Sequence, residues 1–392
     1  MTTESSQSNI PQIPTSMFPR RHENASDLEK CFNERVLKIF AENKIDDLTQ
    51  FRKDIDIFLI ALKTEFLWGL NGKTKYVTLT RLFKILKTSP PTIRETFSQN
   101  IVFTLVKITN FNLAIDIVLI EALVQTVIHA EDTYIKLVPF CENSREISAC
   151  GLQDFVTQHY IPQMAEMPER TDYYAAYAVE IIFFLLEARR REVIFVKDLL
   201  SSALLLNMEA CIKAEKNGLE LPENDIFTLS AFRSTLHEFR SLDADRNGVL
   251  TEDELLDFRN GGFNGIFIKR VFEISLTYEG ACLDFKGFVD LVCAVRFRHT
   301  RASAKYHFEA LDLKEDGVLD EDEIRTMATA VRNYNPDDPQ FNVDCVTAEM
   351  QDMLRAKKTI SLSEFLDSKM GPVFTGYVSN FADFIKYERR EQ

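Results

Sequence analysis

Apolar residues in this chain recur at helical spacing. Ile55, Phe58, Leu59 and Leu62 fall on one helical face, as do Phe232, Leu236, Phe239 and Leu242. Alternation of the kind that marks half-buried strands is confined to very short pieces, and only 13 Gly and 12 Pro punctuate the sequence. The pattern predicts an all-α fold. Residues 27–139 read as a helical N-terminal region, broken at NGKTK (71–75) and SPP (89–91) and without recognisable chemistry.

From about residue 140 a weak internal repeat appears: ISACGL (147–152), IFVKDL (194–199), LTEDEL (250–255), LDFKGF (283–288), LDEDEI (319–324) and ISLSEF (360–365). Each copy starts and ends on an apolar residue, with a helix-opening position before the last. These are positions 8 to 13 of an EF-hand, where the residue at position 8 bridges to a partner loop. Loop starts then fall at 140, 187, 243, 276, 312 and 353, making three consecutive pairs. The same spacing is common in helical proteins generally, so the copies at 147 and 360 rest on their place in the set. The predicted organisation is a disordered tail at 1–26, a helical region at 27–139 and a pseudo-hand pair at 140–230. A hand pair with a calcium loop follows at 231–300, then a pair with a degenerate loop and a C-terminal helix at 301–392.

Calcium takes about six to eight oxygens, which a 12-residue loop supplies from positions 1, 3, 5, 7, 9 and 12 around a glycine at position 6. DADRNGVLTEDE (243–254) meets every requirement through Asp243, Asp245, Asn247, the carbonyl of Val249, Thr251 and Glu254, with Gly248 at the turn. DLKEDGVLDEDE (312–323) repeats the plan through Asp312, Asp316, Val318, Asp320 and Glu323, but Lys314 stands at position 3. An ammonium beside a dication is repulsive unless the long stem carries it toward solvent. The other loops lack ligands at positions 1 and 12, which are Phe140 and Gly151, Glu187 and Asp198, Leu276 and Gly287, and Met353 and Glu364. Arg189 and Arg191 further bar a cation from the second of these, so the four are pseudo-hands that complete pairs by packing.

A formal charge of -14 disfavours nucleic acid and anionic membranes as partners. The most apolar stretches, 112–128 and 173–188, carry Asp116, Glu121 and Glu180 and fall short of the roughly 20 apolar residues of a membrane span, so buried helices are expected. Seven scattered cysteines without CxxC spacing indicate reduced thiols, mostly buried. Six scattered His, with no HExxH, no phosphate-binding glycine loop and no kinase motif, argue against an enzyme. RFRHTRASAK (296–305) is a basic cluster that suits either a solvated helix end or contact with an acidic partner.

Several segments in order then point to a family: YYAAYAVEIIFFLLEARRREVIFVKDLL, SLDADRNGVLTEDEL, FIKRVFEISLTYEGACLDFKGFVDLVCAVRFR, YHFEALDLKEDGVLDEDEI, TISLSEFLDSKMG and FADFIKYERRE. Together they resemble the B-double-prime regulatory subunits of protein phosphatase 2A, closest to the gamma-type branch, from about residue 110 to 391. The resemblance implies a non-catalytic subunit that docks on the phosphatase scaffold and catalytic subunits and directs them to substrates. It implies a place in the cytoplasm, at the centrosome or spindle, with centrosomal proteins as further partners and a part in microtubule organisation and cell division; the nucleus stays open. It also carries the Ca2+ ligands onto the two loops just named, while Lys314 and the first hundred residues depart from the family pattern. The alternative is a free-standing EF-hand sensor or adaptor that binds target helices without the phosphatase.

Overall fold

The computed structural model describes residues 47–69, 74–109, 113–143, 145–166, 168, 170–188, 191, 193–221, 225–275, 282–332, 342–354 and 359–391. The expected tail at 1–26, the loop start at Leu276 and Arg189 lie outside them. In chain order the elements run α1 (47–64), β1 (Leu67–Trp68), β2 (Lys75–Thr78), α2 (Leu79–Thr88), α3 (Pro91–Thr96), α4 (Gln99–Thr109), β3 (Ala114–Asp116) and α5 (Ile117–Leu137). Next come β4 (Glu146–Ser148), α6 (Ala149–His159), α7 (Thr171–Leu185), β5 (Val193–Phe195), α8 (Val196–Ser201) and α9 (Leu204–Asn217). Then follow α10 (Leu229–Leu242), α11 (Glu252–Leu256), α12 (Gly265–Ile274), α13 (Phe285–Arg296), α14 (Arg301–Leu311), β6 (Val318–Asp320) and α15 (Glu321–Arg332). The chain closes with α16 (Val343–Leu354), β7 (Thr359–Ser361), α17 (Leu362–Asp367), α18 (Gly371–Ser379) and α19 (Phe381–Glu388). The all-α expectation holds, with strands of only a few residues each.

The repeat has a physical basis that reaches further back than its sequence signal. In each copy an apolar residue sits in a short strand or bridge and an apolar residue one turn on turns inward, and in all but IFVKDL, which has Phe195 at that place, a small polar residue caps the next helix. Leu250 and Leu283 exchange backbone hydrogen bonds of 2.7 and 2.8 Å, Leu319 faces Ile360, and β4 pairs with β5. The N-terminal region does the same. Val77 faces Ile115 across β2 and β3, so VTLTRL (77–82) and IDIVLI (115–120) form a further pair ahead of the three expected. Thr78, Asp116, Ser148, Thr251, Asp284, Asp320 and Ser361 each accept an N–H from the helix that follows. Such a cap contributes about 1 kcal/mol. All the apolar residues at the start and end of the copies are buried.

Among the described residues the chain divides into a smaller unit, 47–147 with 195–201, and a larger one, 148–194 with 202–391. The smaller unit packs α1 to α5 around one core that includes Phe58, Val77, Leu82, Val102, Ile115 and Ile120. In the larger unit α7 is buried from Tyr173 to Phe184. A helix apolar on all sides needs partners all round, and α6, α13 and α14 supply them. Its phenols find acceptors: Tyr174 donates to the carbonyl of Phe227 at 2.6 Å and Tyr177 to that of Ile226 at 2.9 Å. Among the described residues no helix is long and apolar enough to cross a membrane.

The basic cluster at 296–305 is used internally. Arg296 pairs with Asp225, Arg298 with Asp383, and Arg301 and Lys305 reach Glu187 at 3.1 and 3.7 Å. Of its two readings, contact with an acidic partner loses its cations to these bonds.

Candidate metal centre

Helix α10 is amphipathic, with Phe232, Leu236 and Phe239 inward, and it ends where Asp243 leaves the helical region at φ -68°, ψ 80°. Asp243 is buried, and both its oxygens accept N–H bonds of 3.0 Å, from Asn247 and Gly248. Burial pushes its carboxyl up from the ordinary range; these two N–H groups oppose that and neighbouring Asp245 adds to it. The chain turns through left-handed backbone at Arg246 (φ 58°) and Gly248 (φ 86°). A side chain at Gly248 would meet no neighbour within 4 Å, so glycine is needed there for its backbone freedom and not for space.

Three carboxylates converge on this turn. Oxygens of Asp243, Asp245 and Glu254 lie within 4.8 Å of one another, the one such group of acidic, His or Cys ligand atoms among the described residues. Glu254 closes the loop, accepting the Ala244 N–H at 2.9 Å on one oxygen and the Thr251 N–H and hydroxyl at 2.9 Å on the other. Burial pushes Glu254 up, but the Thr251 N–H and hydroxyl and the Ala244 and Asp245 N–H groups outweigh it and hold the carboxyl below its usual value. Asn247 donates to Asp245 at 2.9 Å and accepts from the Val249 N–H at 2.8 Å. Among the described residues no Lys or Arg pairs with any of the three carboxylates. An oxygen-only donor set with excess negative charge fits a hard dication.

Loop 312–323 has the same backbone and a different balance of charge. Glu315 and Gly317 are left-handed (φ 57° and 81°), and buried Asp312 accepts the N–H groups of Asp316 and Gly317 at 3.2 and 2.8 Å. Buried Glu323 accepts from the Lys314 and Asp320 N–H groups, both at 2.9 Å. The Lys314 side chain is exposed, and its ammonium is paired at the loop surface. It bonds Asp320 within the loop and lies 3.6 Å from Asp322, which holds the Asp320 carboxyl below its usual range. Of the residues expected to be ligands, Asp320 is thus engaged by a cation of the chain itself, while Asp312 and Glu323 are held by backbone N–H groups.

Arg270 of α12 was not anticipated as part of this loop. Its buried guanidinium donates to the carbonyls of Glu309 and Asp312 at 3.1 and 3.0 Å and to Glu315 at 3.0 Å. It ties down the carbonyls that end α14, which a helix leaves unpaired. An Arg amid the apolar Phe267, Ile268, Val271 and Ile274 was the available signal. Of the pseudo-hands, the one at 187 begins with Glu187 engaged by Arg301 and Lys305, and the one at 353 spends Glu364 on capping Ser361.

Comparison with known proteins gives matches along nearly the whole chain. Three family profiles follow in series: the RSA-1 N-terminal domain over residues 25–131, the RSA-1 middle domain over 142–228 and the RSA-1 C-terminal domain over 243–392. The serine/threonine-protein phosphatase 2A regulatory subunit rsa-1 of Caenorhabditis elegans is 53% identical over 392 residues, covering 98% of this chain and 97% of the relative. The B''-gamma regulatory subunit of serine/threonine-protein phosphatase 2A from Homo sapiens is 29% identical over 224 residues, 56% of this chain and 49% of that relative, about half its length. A chain of a solved PP2A PR70 holoenzyme structure shares the fold, with a TM-score of 0.56 and 17% identity over 66% of this chain and 98% of that one. Both named relatives are regulatory subunits and not catalytic ones. The chain therefore belongs to the RSA-1 family of protein phosphatase 2A regulatory subunits, with a more distant kinship to the B''-gamma type.

Proposed function

We propose that this chain works as a non-catalytic, B''-type subunit of protein phosphatase 2A. It docks on the scaffold and catalytic subunits and directs them to substrates at centrosome, spindle and microtubule structures in the cytoplasm. The observation that carries this reading is the 53% identity to a phosphatase 2A regulatory subunit along almost the full length of both chains. The helical hands then serve as a rigid docking surface.

Calcium is assigned to one loop, where Asp243, Asp245, Asn247, the Val249 carbonyl, Thr251 and Glu254 would hold the ion. Support comes from the converging carboxylates and from the similar solved structure, which is described as diCa. Bound there, the ion would fix how α10 and α11 meet, bracing the surface around them. Loop 312–323 is assigned no ion, because the Lys314 ammonium at its third position already pairs with the expected ligand Asp320.

Copurification of the tagged full-length chain from cells, with and without a chelator, tests the reading. Scaffold and catalytic subunits of the phosphatase are expected among the captured proteins, with recovery reduced by chelation. Their absence from both samples overturns it and favours a free-standing calcium sensor.

A further inference from the structure

Helix α11, which leaves loop 243–254, spans only Glu252–Leu256. So short a helix is not stable by itself and depends on what fixes its two ends. One end is the loop, where Thr251 and Glu254 close the capping box over the first turn. Just past the other end Arg259, Asn260 and Gly261 follow one another in left-handed backbone, at φ 50°, 61° and 68°. Glycine adopts that conformation freely, whereas the side chain of a residue such as Arg259 disfavours it. Residues of this kind persist where the structure on either side over-determines them.

On the far side the run is held by the C-terminal helices. Gly262 to Asn264 lie along Ser379 to Phe381, the link between α18 and α19, with Phe263 bridged to Asn380. The Asn264 N–H donates to the Ser379 carbonyl at 2.9 Å, the Phe381 N–H to the Gly262 carbonyl at 2.8 Å, and Asn264 Nδ2 to the Val378 carbonyl at 3.0 Å. Both asparagines are buried caps. Asn264 accepts the Ile266 and Phe267 N–H groups at the start of α12, and Asn380 accepts the Asp383 N–H at the start of α19. Phe258, just past α11, stacks on Phe263 with ring centroids 5.3 Å apart, and Glu238 of α10 lies 3.9 Å from Arg259. The approach is close: a Cβ at Gly262 would stand 3.2 Å from Asn380 Nδ2 and 3.3 Å from the Arg259 carbonyl.

We propose that this strained run couples loop 243–254 to α19, so that the anchoring of the C-terminal helix depends on whether the loop holds a cation. The proposal rests on the calcium assignment above and names what that site regulates. Without a cation the carboxylates of Asp243, Asp245 and Glu254 repel one another, which loosens the first turn of α11. The left-handed run then loses one of its two fixed ends, and its relaxation draws on the hydrogen bonds to Ser379 and Phe381. With the loop occupied both ends are fixed and the link between α18 and α19 stays closed.

Hydrogen exchange of the full-length protein, read by mass spectrometry with Ca2+ and with a chelator, tests the coupling. Amides of α19 are expected to exchange about fivefold slower or more with Ca2+, while those of α2 to α4 in the smaller unit keep their rates. Arg259→Gly with Asn260→Gly removes the strain at two exposed positions whose backbone suits glycine. In this variant calorimetry is expected to count the same number of ions, and α19 is expected to exchange alike in both conditions. An ion bound without any change at α19, slowing spread evenly over the whole chain, or the full difference kept in the double variant overturns the proposal. No ion bound by the unaltered chain overturns the calcium assignment and the coupling with it, so the two failures are told apart.

Discussion

Loop 243–254 and loop 312–323 are built on one backbone, with left-handed residues at the fourth and sixth positions and a buried Asp at the first. They part at the third position, where Asp245 adds a carboxylate to one and Lys314 adds an ammonium to the other. In the first loop the like charges are held together only by N–H and hydroxyl donors, a state that a dication relieves. In the second the protein supplies its own cation, and Arg270 braces the end of the preceding helix from below. The hand geometry is thus kept with either sign of charge at the third position.

The largest test of this comparison is to exchange what differs. Lys314→Asp removes the loop's own cation and restores a carboxylate at the third position, so calorimetric titration with Ca2+ is expected to count two ions on this variant and one on the unaltered chain. Glu254→Gln is the counterpart in the first loop, and there affinity is expected to fall about a hundredfold, as the loss of a bidentate charged ligand dictates. Two ions on the unaltered chain, or one on Lys314→Asp, would break the contrast.

The helix entering the second loop adds a pH dependence of its own. His307 of α14 is fully buried, stacked on Phe267, with Nδ1 2.9 Å from the Ser303 carbonyl. Burial lowers its pKa to about 4, assisted by Arg298 and opposed by the Ser303 bond. Unfolded chains protonate His near pH 6.5, so the unfolded state takes the proton first and stability falls as pH drops from about 6.5 toward 4. The full effect is about 3 kcal/mol, and urea unfolding at stepped pH is expected to show that slope in the unaltered chain and lose it in His307→Phe. An identical slope in both would remove His307 from the account.

Much of this was readable in the sequence, for reasons that differ by residue. Asp243 to Glu254 were legible because metal chemistry demands oxygen donors at fixed spacing. The later copies were legible because an apolar residue at position 8 and another five residues on are both required to bury a hand. VTLTRL and IDIVLI obey that rule too, with Val77, Leu82, Ile115 and Ile120 all buried, but they stand in a region without ligands to draw the eye. The partners of Lys314 and the reach of Arg270 were not legible, since both depend on where a long flexible side chain comes to rest. The internal ion pairs of Arg296 to Lys305 depend on Asp225, Asp383 and Glu187, acids far away in the chain.

The smallest effect separates metal from cap. Glu254 and Glu364 occupy the last position of their loops, and each closes a capping box, with Thr251 in one case and Ser361 in the other. Ser361 donates its hydroxyl to Glu364 at 2.7 Å and its N–H at 2.9 Å, much as Thr251 does to Glu254. What Glu364 lacks is company, for its loop begins with Met353 where the other has Asp243. Ser361→Ala is therefore expected to cost about 1 kcal/mol in urea unfolding and to leave the number of bound ions unchanged. A change in ion count would mean that the ligand-free loop still answers to metal through its bridge at Ile360 to Leu319, and the two hands of that pair would have to be treated as one site.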